Sequence, residues 1–312
     1  MSRQIGLRIA FAMLGSLAIL GTALADTIPS QLVKTSKDSL HIGLPKTLFR
    51  GFPDNALNLA NKPFQRLIQD QIGMPGNVLN APNAMEMAKQ LDAGEIQLGV
   101  FHGFEFAWAQ ARYPQLEPLV VALPMVRDIH VYLVVAANSK ITSAADLKGK
   151  SVGLPADCKD HILVYWDKVI QTEVGGKKAC TVQKSISAKE ALEDVIDGQI
   201  QATLVDSASF LAFQADRPGR AKKLRILQKS DLFPPAVIAY RKGTMDDDVL
   251  KRCREGLIGA SNNPRATFML SLIKLDGFGR LPANYDQQLK KTLQLYPDSA
   301  IERISFDKLL GK

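Results

Sequence analysis

A run of five residues carries the side chains with the most obvious chemistry: Asp157, Cys158, Lys159, Asp160 and His161. The Cys158 thiol and the His161 imidazole are three residues apart, so on a helix start they could touch as a nucleophile and its base. No third group that would orient such a pair is evident in the sequence. The carboxylates, the amine and the imidazole could instead hold a small charged ligand.

The rest of the sequence gives no support for catalysis. It lacks a nucleophile elbow, a P-loop, a dinucleotide-binding glycine motif and an HExxH helix. Its histidines, His41, His102, His130 and His161, do not have the spacing of metal ligands. We therefore predict that the protein is not an enzyme and uses neither a cofactor nor a metal.

The N-terminus predicts export. Arg3 and Arg8 precede an apolar run over 9–20, and Ala23-Leu24-Ala25 follows it. This is the layout of a secretory signal peptide cleaved after Ala25. The run is shorter than the roughly 20 apolar residues of a membrane span, which argues against an uncleaved anchor. We expect an exported protein, with residues 1–25 removed; the family resemblance described below implies that it is exported to the periplasm.

The charge and the cysteines limit the partners. Loss of the two signal arginines lowers the net charge from +8 to +6. Such a charge attracts anions, or it serves solubility alone. Basic clusters with interleaved aromatic residues are missing, so we expect no nucleic-acid partner. Cys158 and Cys180 flank one predicted helix, and they could form a disulfide or remain two buried thiols.

Apolar periodicity and turn residues predict an alternation of strands and helices. Asn83 is the expected N-cap of one helix, and Gly94 is its stop. Strands are predicted at 40–45, 77–80, 96–101, 117–123, 130–137, 151–154, 180–186, 200–206, 224–230 and 235–243. Helices are predicted at 63–72, 83–95, 105–114, 159–176, 187–199, 246–259, 264–275 and 285–296.

This order repeats one α/β unit and ends in a long helical tail. We predict an α/β protein with two lobes, each with a mixed, mostly parallel sheet flanked by helices. Residues 26–128 and 235–312 would form lobe one, and residues 129–234 would form lobe two. Open α/β sheets bind ligands beyond the carboxyl ends of their strands, so the expected pocket is a cleft between the lobes.

Several segments resemble one protein family in the same order. "HVYLVVAANSKI" followed by "SAADLKGKSVGLP" resembles the entry into the second lobe of type II periplasmic binding proteins. The closer resemblance is to the periplasmic substrate-binding proteins of phosphate, phosphite and phosphonate ABC transporters. Its other segments are "KPFQRLIQDQIG", "MAKQLDAGEIQLGVFHGFEFAWA", "SAKEALEDVIDGQIQATLVDS", "KSDLFPPAVIAYRKG" and "DGFGRLPANYDQQL".

The resemblance implies a monomeric, two-lobed protein that closes on a small anion and docks on an inner-membrane ABC permease. A sensor subunit that acts on a membrane kinase is the alternative. Positions after strand ends, taken with the resemblance, give these candidate ligand-binding residues: Phe49, Phe101, His102, Glu105, Phe106, Tyr132, Asp157, Lys159, His161, Ser187 and Asp206.

Each candidate also has an ordinary structural explanation. Phe49 could be a surface loop residue, His102 a hydrogen-bonded histidine, and Tyr132 part of the core. Asp157 and Asp206 could be helix N-caps, because Asp is favoured there.

The sequence also departs from the family it resembles. The family places a serine-rich anion-binding turn where this chain has Pro155–His161, and a Ser-His pair where it has Ser187 and Ala188. Phe106 occupies a position that is usually tyrosine. A ligand with an amine or hydroxyl beside its anionic group would suit Asp157, Asp206 and Glu105 better than plain phosphate would.

Overall fold

The predicted alternation of strands and helices is present in the protein. The computed structural model describes residues 39–45, 48, 62, 65–66 and 68–297. The predicted signal peptide and Phe49 lie outside these residues. The strands are β1 (Leu40–Pro45), β2 (Gly76–Ala81), β3 (Leu98–Phe101), β4 (Leu116–Pro124), β5 (Val131–Ala136), β6 (Ser151–Pro155), β7 (Thr181–Ser185), β8 (Ala202–Asp206), β9 (Leu224–Lys229), β10 (Val237–Arg241) and β11 (Leu275–Gly279).

Most helices begin at a capping residue that the sequence makes recognisable. The Asn83 side chain accepts from the Glu86 N–H at 2.9 Å, as the sequence predicts for this N-cap. The α-helices are α1 (Ala84–Asp92), α2 (Gly103–Arg112), α3 (Asp160–Val169), α4 (Ala188–Ile196), α5 (Ser207–Asp216), α6 (Pro218–Ala221), α7 (Asp247–Gly259), α8 (Pro264–Leu272) and α9 (Tyr285–Leu295).

The strands form two mixed sheets. The first has the order β11-β4-β10-β3-β1-β2, in which β1 pairs in parallel with β2 and β3 while β10 and β11 pair antiparallel with their neighbours. The second has the order β7-β6-β8-β5-β9, in which only β5 runs against the others. The chain thus passes from the first sheet to the second after β4, and it returns after β9.

The helices cover both faces of each sheet, because strand side chains alternate between the faces. In β10, Val237 packs in one hydrophobic cluster and Ile238 in the cluster on the opposite face. In β5, Leu133 and Val134 divide in the same way over the faces of the second sheet. Such two-sided burial is typical of α/β sheets.

Helix α2 contributes to two of these clusters at once. Phe106 packs in a cluster of the first sheet, whereas Phe104 and Trp108 belong to the cluster that includes β5, β6 and α3 of the second sheet. The Trp108 indole N–H donates to the Tyr296 carbonyl at 2.8 Å, which ties the end of α9 to α2. This helix therefore links the cores of the two sheets.

The two stretches of chain that cross between the sheets are bonded to each other. The Phe233 N–H in the return crossing donates to the Ile129 carbonyl in the outgoing crossing at 2.9 Å. The Ser207 hydroxyl at the start of α5 donates to the Asp128 carbonyl at 2.5 Å. The crossings are thus joined beside the C-terminal end of β8.

The tail of the chain differs from the sequence-based expectation. The predicted helix over 264–275 ends at Leu272, and Lys274 adopts a left-handed backbone with φ of 60°. The chain then forms β11, which pairs antiparallel with β4. The sequence pattern did not predict this strand, because Asp276, Gly277 and Gly279 all have low strand propensity.

The disulfide that the sequence left open between Cys158 and Cys180 is not formed, and both are buried thiols. Strands β6 and β7 lie side by side in parallel register, with Pro155 opposite Ser185. Cys158 follows the end of β6, whereas Cys180 precedes the start of β7. The cysteines therefore lie at opposite ends of five-residue strands, roughly 15 Å apart at the usual rise, well beyond bonding reach.

The helices that the structure describes were also compared with the length and apolarity needed to cross a bilayer. None of them meets both requirements.

Candidate ligand-binding site

Asp206 is the centre of a charged cluster beyond the C-terminal end of β8. It is the N-cap of α5, and its carboxylate accepts from the Ser209 N–H at 2.7 Å. The other carboxylate oxygen lies 3.1 Å from Lys159 Nζ and 4.0 Å from His161 Nε2. The side chain is 6% exposed. A buried carboxylate whose second oxygen faces two basic groups can also accept a hydrogen bond from a donor group of a ligand.

The pKa of Asp206 keeps it ionised at neutral pH. Burial acts to raise this pKa, but the attraction of Lys159 and His161 and the hydrogen bonds from Ser209 together lower it to about 2. A carboxylate that stays charged inside the protein requires a positive partner. Lys159 supplies it here, with half of its own side chain in solvent.

His161 lies in the first turn of α3 and is buried. Burial lowers its pKa to about 3, the positive charge of Lys159 and His102 acts in the same direction, and Asp206 opposes both. The imidazole is therefore neutral at physiological pH. Its Nε2 atom has no hydrogen-bond partner among the residues that the structure describes.

His102 approaches the cluster from the first sheet. It follows β3 as the N-cap of α2. A chain of ring contacts through Phe104 and Phe233 connects its ring to that of His161. The His102 backbone N–H donates to the Glu105 carboxylate at 3.0 Å, and its ring stacks on Phe104 with centroids 5.6 Å apart. These contacts hold its ring at the start of the helix.

The N-termini of three helices therefore converge on one cluster of basic and acidic groups. Lys159 is the N-cap of α3, His102 of α2 and Asp206 of α5, and each helix has ten residues. A helix N-terminus carries unpaired N–H groups and roughly half a positive charge, which favours anions. The cluster combines this field with a carboxylate that suits an ammonium or hydroxyl.

Comparison with known proteins places the chain in a family. A family model described as "ABC transporter, phosphonate, periplasmic substrate-binding protein" matches residues 52–285. The chain belongs to this family. Members of the family are periplasmic substrate-binding proteins of ABC transporters, as the resemblance in the sequence implies. A comparison with curated protein sequences gives no match.

Solved structures of family members and related proteins share the fold. A Xanthomonas citri protein bound to chloride ion is 19% identical, with a TM-score of 0.62 over 83% of this chain and 97% of that one. A binding protein component of an ABC phosphonate transporter from Pseudomonas aeruginosa is 15% identical, with a TM-score of 0.54 over 88% and 96%.

A third structure, PhnD1 from Prochlorococcus marinus in complex with methylphosphonate, is 11% identical, with a TM-score of 0.58 over 83% and 98% of the two chains. The protein thus has the type II periplasmic binding protein fold, and the predicted fold class is confirmed.

Two of the candidate ligand-binding residues, Asp157 and Ser187, cap helix α4 in this structure. Asp157 is exposed, and its carboxylate accepts from the Ala188 N–H at 3.2 Å at the start of α4. Ser187 is the N-cap of the same helix and accepts from the Glu190 N–H at 3.2 Å. The ion-pair contacts of Asp206 are with Lys159 and His161 and include neither of these two residues. A role in ligand binding for Asp157 and Ser187 stays a prediction.

The expected aromatic residues lie apart from the charged cluster. Phe101 and Phe106 are fully buried in the core of the first sheet, with ring centroids 5.7 Å apart. Tyr132 lies on the face of β5 opposite to the cluster and packs edge-on against Phe210 at 5.6 Å. Glu105 is also buried, and it accepts the His102 N–H. The ligand contacts expected of these four residues stay predictions.

One aromatic ring that contacts the cluster was not identified from the sequence. Phe233, in the return crossing, lies 5.4 Å from the His161 ring and 6.1 Å from the Phe104 ring, measured between centroids. It does not directly follow a strand, so a search for ligand-binding residues at the ends of strands does not find it. Its place in "KSDLFPPAV", a segment of the family resemblance, is the only local signal.

Proposed function

We propose that this protein binds a small oxyanion of the phosphonate, phosphite or phosphate type that also carries an amine or hydroxyl, and delivers it to an ABC permease. The observation that carries the proposal is the ionised, buried Asp206 beside His161, Lys159 and the N-termini of three helices. The basic groups and helix ends attract the anion, and Asp206 accepts a hydrogen bond from the amine or hydroxyl.

The arrangement of the chain supports a closing motion around this ligand. His102 comes from the first sheet, whereas Lys159, His161 and Asp206 come from the second. In our proposal the lobes are residues 26–128 with 235–312 and residues 129–234, and residues 1–25 are a signal peptide that is removed in the periplasm. Ligand-driven closure of two domains is a known mode of switching.

Calorimetric titration of the purified protein tests the ligand class. The panel is inorganic phosphate, phosphite, methylphosphonate, 2-aminoethylphosphonate and ethanolamine, at one pH and ionic strength. We expect the tightest binding for 2-aminoethylphosphonate, because it satisfies both the basic groups and Asp206. Equal or tighter binding of plain phosphate would contradict the role of Asp206, and no binding of any oxyanion would refute the proposal.

The affinity should increase as the pH falls, and His161 should be the cause. In the free protein its pKa is about 3, so it is neutral. An anion beside the ring favours the protonated form and raises that pKa, so binding takes up a proton. Between the two pKa values the affinity should rise by up to about tenfold for each unit of pH decrease.

The measurement is titration calorimetry from pH 7.5 to 5.5 in two buffers of different ionisation enthalpy. Wild type and His161→Gln should be compared at each pH, since the difference removes protons that the ligand itself exchanges. We expect proton uptake in wild type and less in the variant; equal uptake would exclude His161. The unliganded wild type should show the opposite trend, losing stability as the pH falls from 6.5, because the unfolded histidine protonates first.

A further inference from the structure

A second group of polar atoms continues from the proposed site along α3. His161, Tyr165 and Lys168 are spaced by four and three residues, so they share one face of the helix. Phe233 packs against His161 at 5.4 Å and stacks on Tyr296 at 5.1 Å. The Lys168 ammonium lies 5.3 Å from the centre of the Tyr296 ring. This face of α3 therefore meets Phe233 and Tyr296 along two turns.

Three polar atoms on these side chains are buried without a partner among the described residues: His161 Nε2, Tyr165 Oη and Tyr296 Oη. The three residues are 3 to 4% exposed and belong to, or contact, the same buried cluster. Buried polar groups nearly always have a hydrogen-bond partner, and an unsatisfied one is costly. Because the three side chains belong to or contact one cluster, a single bound group with several hydrogen-bonding atoms can reach all of them and supply the missing partners.

The chemistry of the two tyrosines limits what that group can be. Burial, together with the nearby negative charge of Glu173 and Asp231, raises the pKa of Tyr165, and burial with Tyr165 and Asp231 does the same for Tyr296. Both hydroxyls are therefore protonated at physiological pH and can donate. The Asp231 carboxylate is itself paired with the Lys291 ammonium at 2.5 Å, which offsets its repulsion of an anion at these hydroxyls. Donors in a buried setting form their strongest hydrogen bonds with ionised oxygens.

We propose that the Tyr165 and Tyr296 hydroxyls, with His161 Nε2, hold the oxygens of the ligand's anionic group. The inference rests on the proposed function, since it extends the same site from Asp206 past His161 to the end of α9. It assigns the two ends of the ligand: the oxyanion lies among the phenols and the imidazole, and the amine or hydroxyl lies at Asp206. It gives this chain a set of anion-binding hydroxyls that does not depend on serine.

The test uses Tyr165→Phe and Tyr296→Phe, singly and together, titrated with phosphate, methylphosphonate and 2-aminoethylphosphonate. Because all three probes share the oxyanion, each single change should weaken all three by a similar factor, roughly 10- to 100-fold for a hydrogen bond to a charged acceptor. The thermal midpoint without ligand should not fall, because the hydroxyl that is removed has no partner to lose.

The matched control is Tyr285→Phe. Tyr285 is equally buried, but its hydroxyl donates to the Pro235 carbonyl at 3.2 Å. This change should lower the thermal midpoint and leave the affinities unchanged. The inference is overturned if Tyr165→Phe and Tyr296→Phe also lower the thermal midpoint and leave the affinities unchanged. The two hydroxyls would then have a structural role, with ordered water as their hydrogen-bond partner.

The outcomes also separate this inference from the proposed function. Wild-type protein that binds none of the three probes overturns both. Wild-type binding that His161→Gln weakens but neither tyrosine variant changes overturns only the inference. A loss restricted to 2-aminoethylphosphonate would place the phenols at the amine end and would also overturn the assignment.

Discussion

Replacement of Asp206 by Asn should weaken binding of 2-aminoethylphosphonate by about 100-fold while the protein remains folded. Truncating one partner of a buried charge pair typically costs about 2 to 5 kcal/mol of binding free energy. The Asn side chain keeps an oxygen that can accept the Ser209 N–H, and Asn is as good an N-cap as Asp. Titration calorimetry gives the affinity, and thermal unfolding without ligand checks the fold.

Asp146→Asn is the matched control, because Asp146 also accepts backbone N–H bonds, from Thr142 and Ser143, but is exposed and is not a candidate ligand-binding residue. It should leave the affinity within about twofold, as expected for a surface substitution. Methylphosphonate has no amine, so Asp206→Asn should not weaken its binding and could strengthen it by removing a negative charge. An equal loss for both phosphonates would show that Asp206 does not contact the amine.

The replacement of Gly103 by Ala should be the most destabilising of the single changes considered. A Cβ built on Gly103 would lie 2.3 Å from the Pro234 carbonyl oxygen, a backbone atom that no rotamer change can move. Either α2 or the return crossing must shift. We expect the free energy of unfolding to fall by about 3 kcal/mol, the upper end for overpacking. Urea denaturation with an unchanged m-value would measure this.

Gly219→Ala in α6 is the control, since its added Cβ meets no atom within 4 Å. Alanine is the better helix former, so this variant should be unchanged or slightly more stable. Gly103→Ala should also weaken ligand binding, because the shift displaces His102 or Phe233. Wild-type stability in Gly103→Ala would contradict the close packing of α2 against the crossing.

Local sequence signals predicted most elements because each has its own start and stop. Asn83 and Ser187 mark the starts of α1 and α4, and Gly94 has the positive φ of a helix stop. Strand β11 was missed because its pairing with β4 lies about 150 residues away in the chain. Only that tertiary pairing overcomes the low strand propensity of Asp276 and its glycines.

That the charged candidate residues lie close together was predictable for a topological reason. Strands β6 and β8 are parallel neighbours, so the residues that follow them meet at one edge of the sheet. This brings Lys159 and His161 to Asp206. The sequence could not show that Asp157 lies outside this group of charged residues. Asp157 instead contacts Ala188, which is 31 residues away in the chain.

The positions of the aromatic candidates were harder to predict. Phe101 ends β3 as Asp206 ends β8, and its ring packs in one of the two clusters that cover the faces of the first sheet. The alternation along a four-residue strand is too short to show from sequence which face that is. Tyr165 could have been found as the next residue on the helix face of His161. Tyr296 is 131 residues further along the chain than Tyr165, and no local pattern relates them.

In the proposed closing motion, the bond between Phe233 and Ile129 joins the two crossings into one hinge. If one crossing slid along the other, this hydrogen bond would break. Rotation about the long axis of the paired crossings leaves the bond intact. We therefore expect the sheets to swing on a single axis with no shear component. Ser207 bonds to Asp128 beside that axis and directly follows Asp206. A ligand that binds this carboxylate as proposed would therefore act close to the axis, where a small displacement produces a large linear displacement at the outer ends of the sheets.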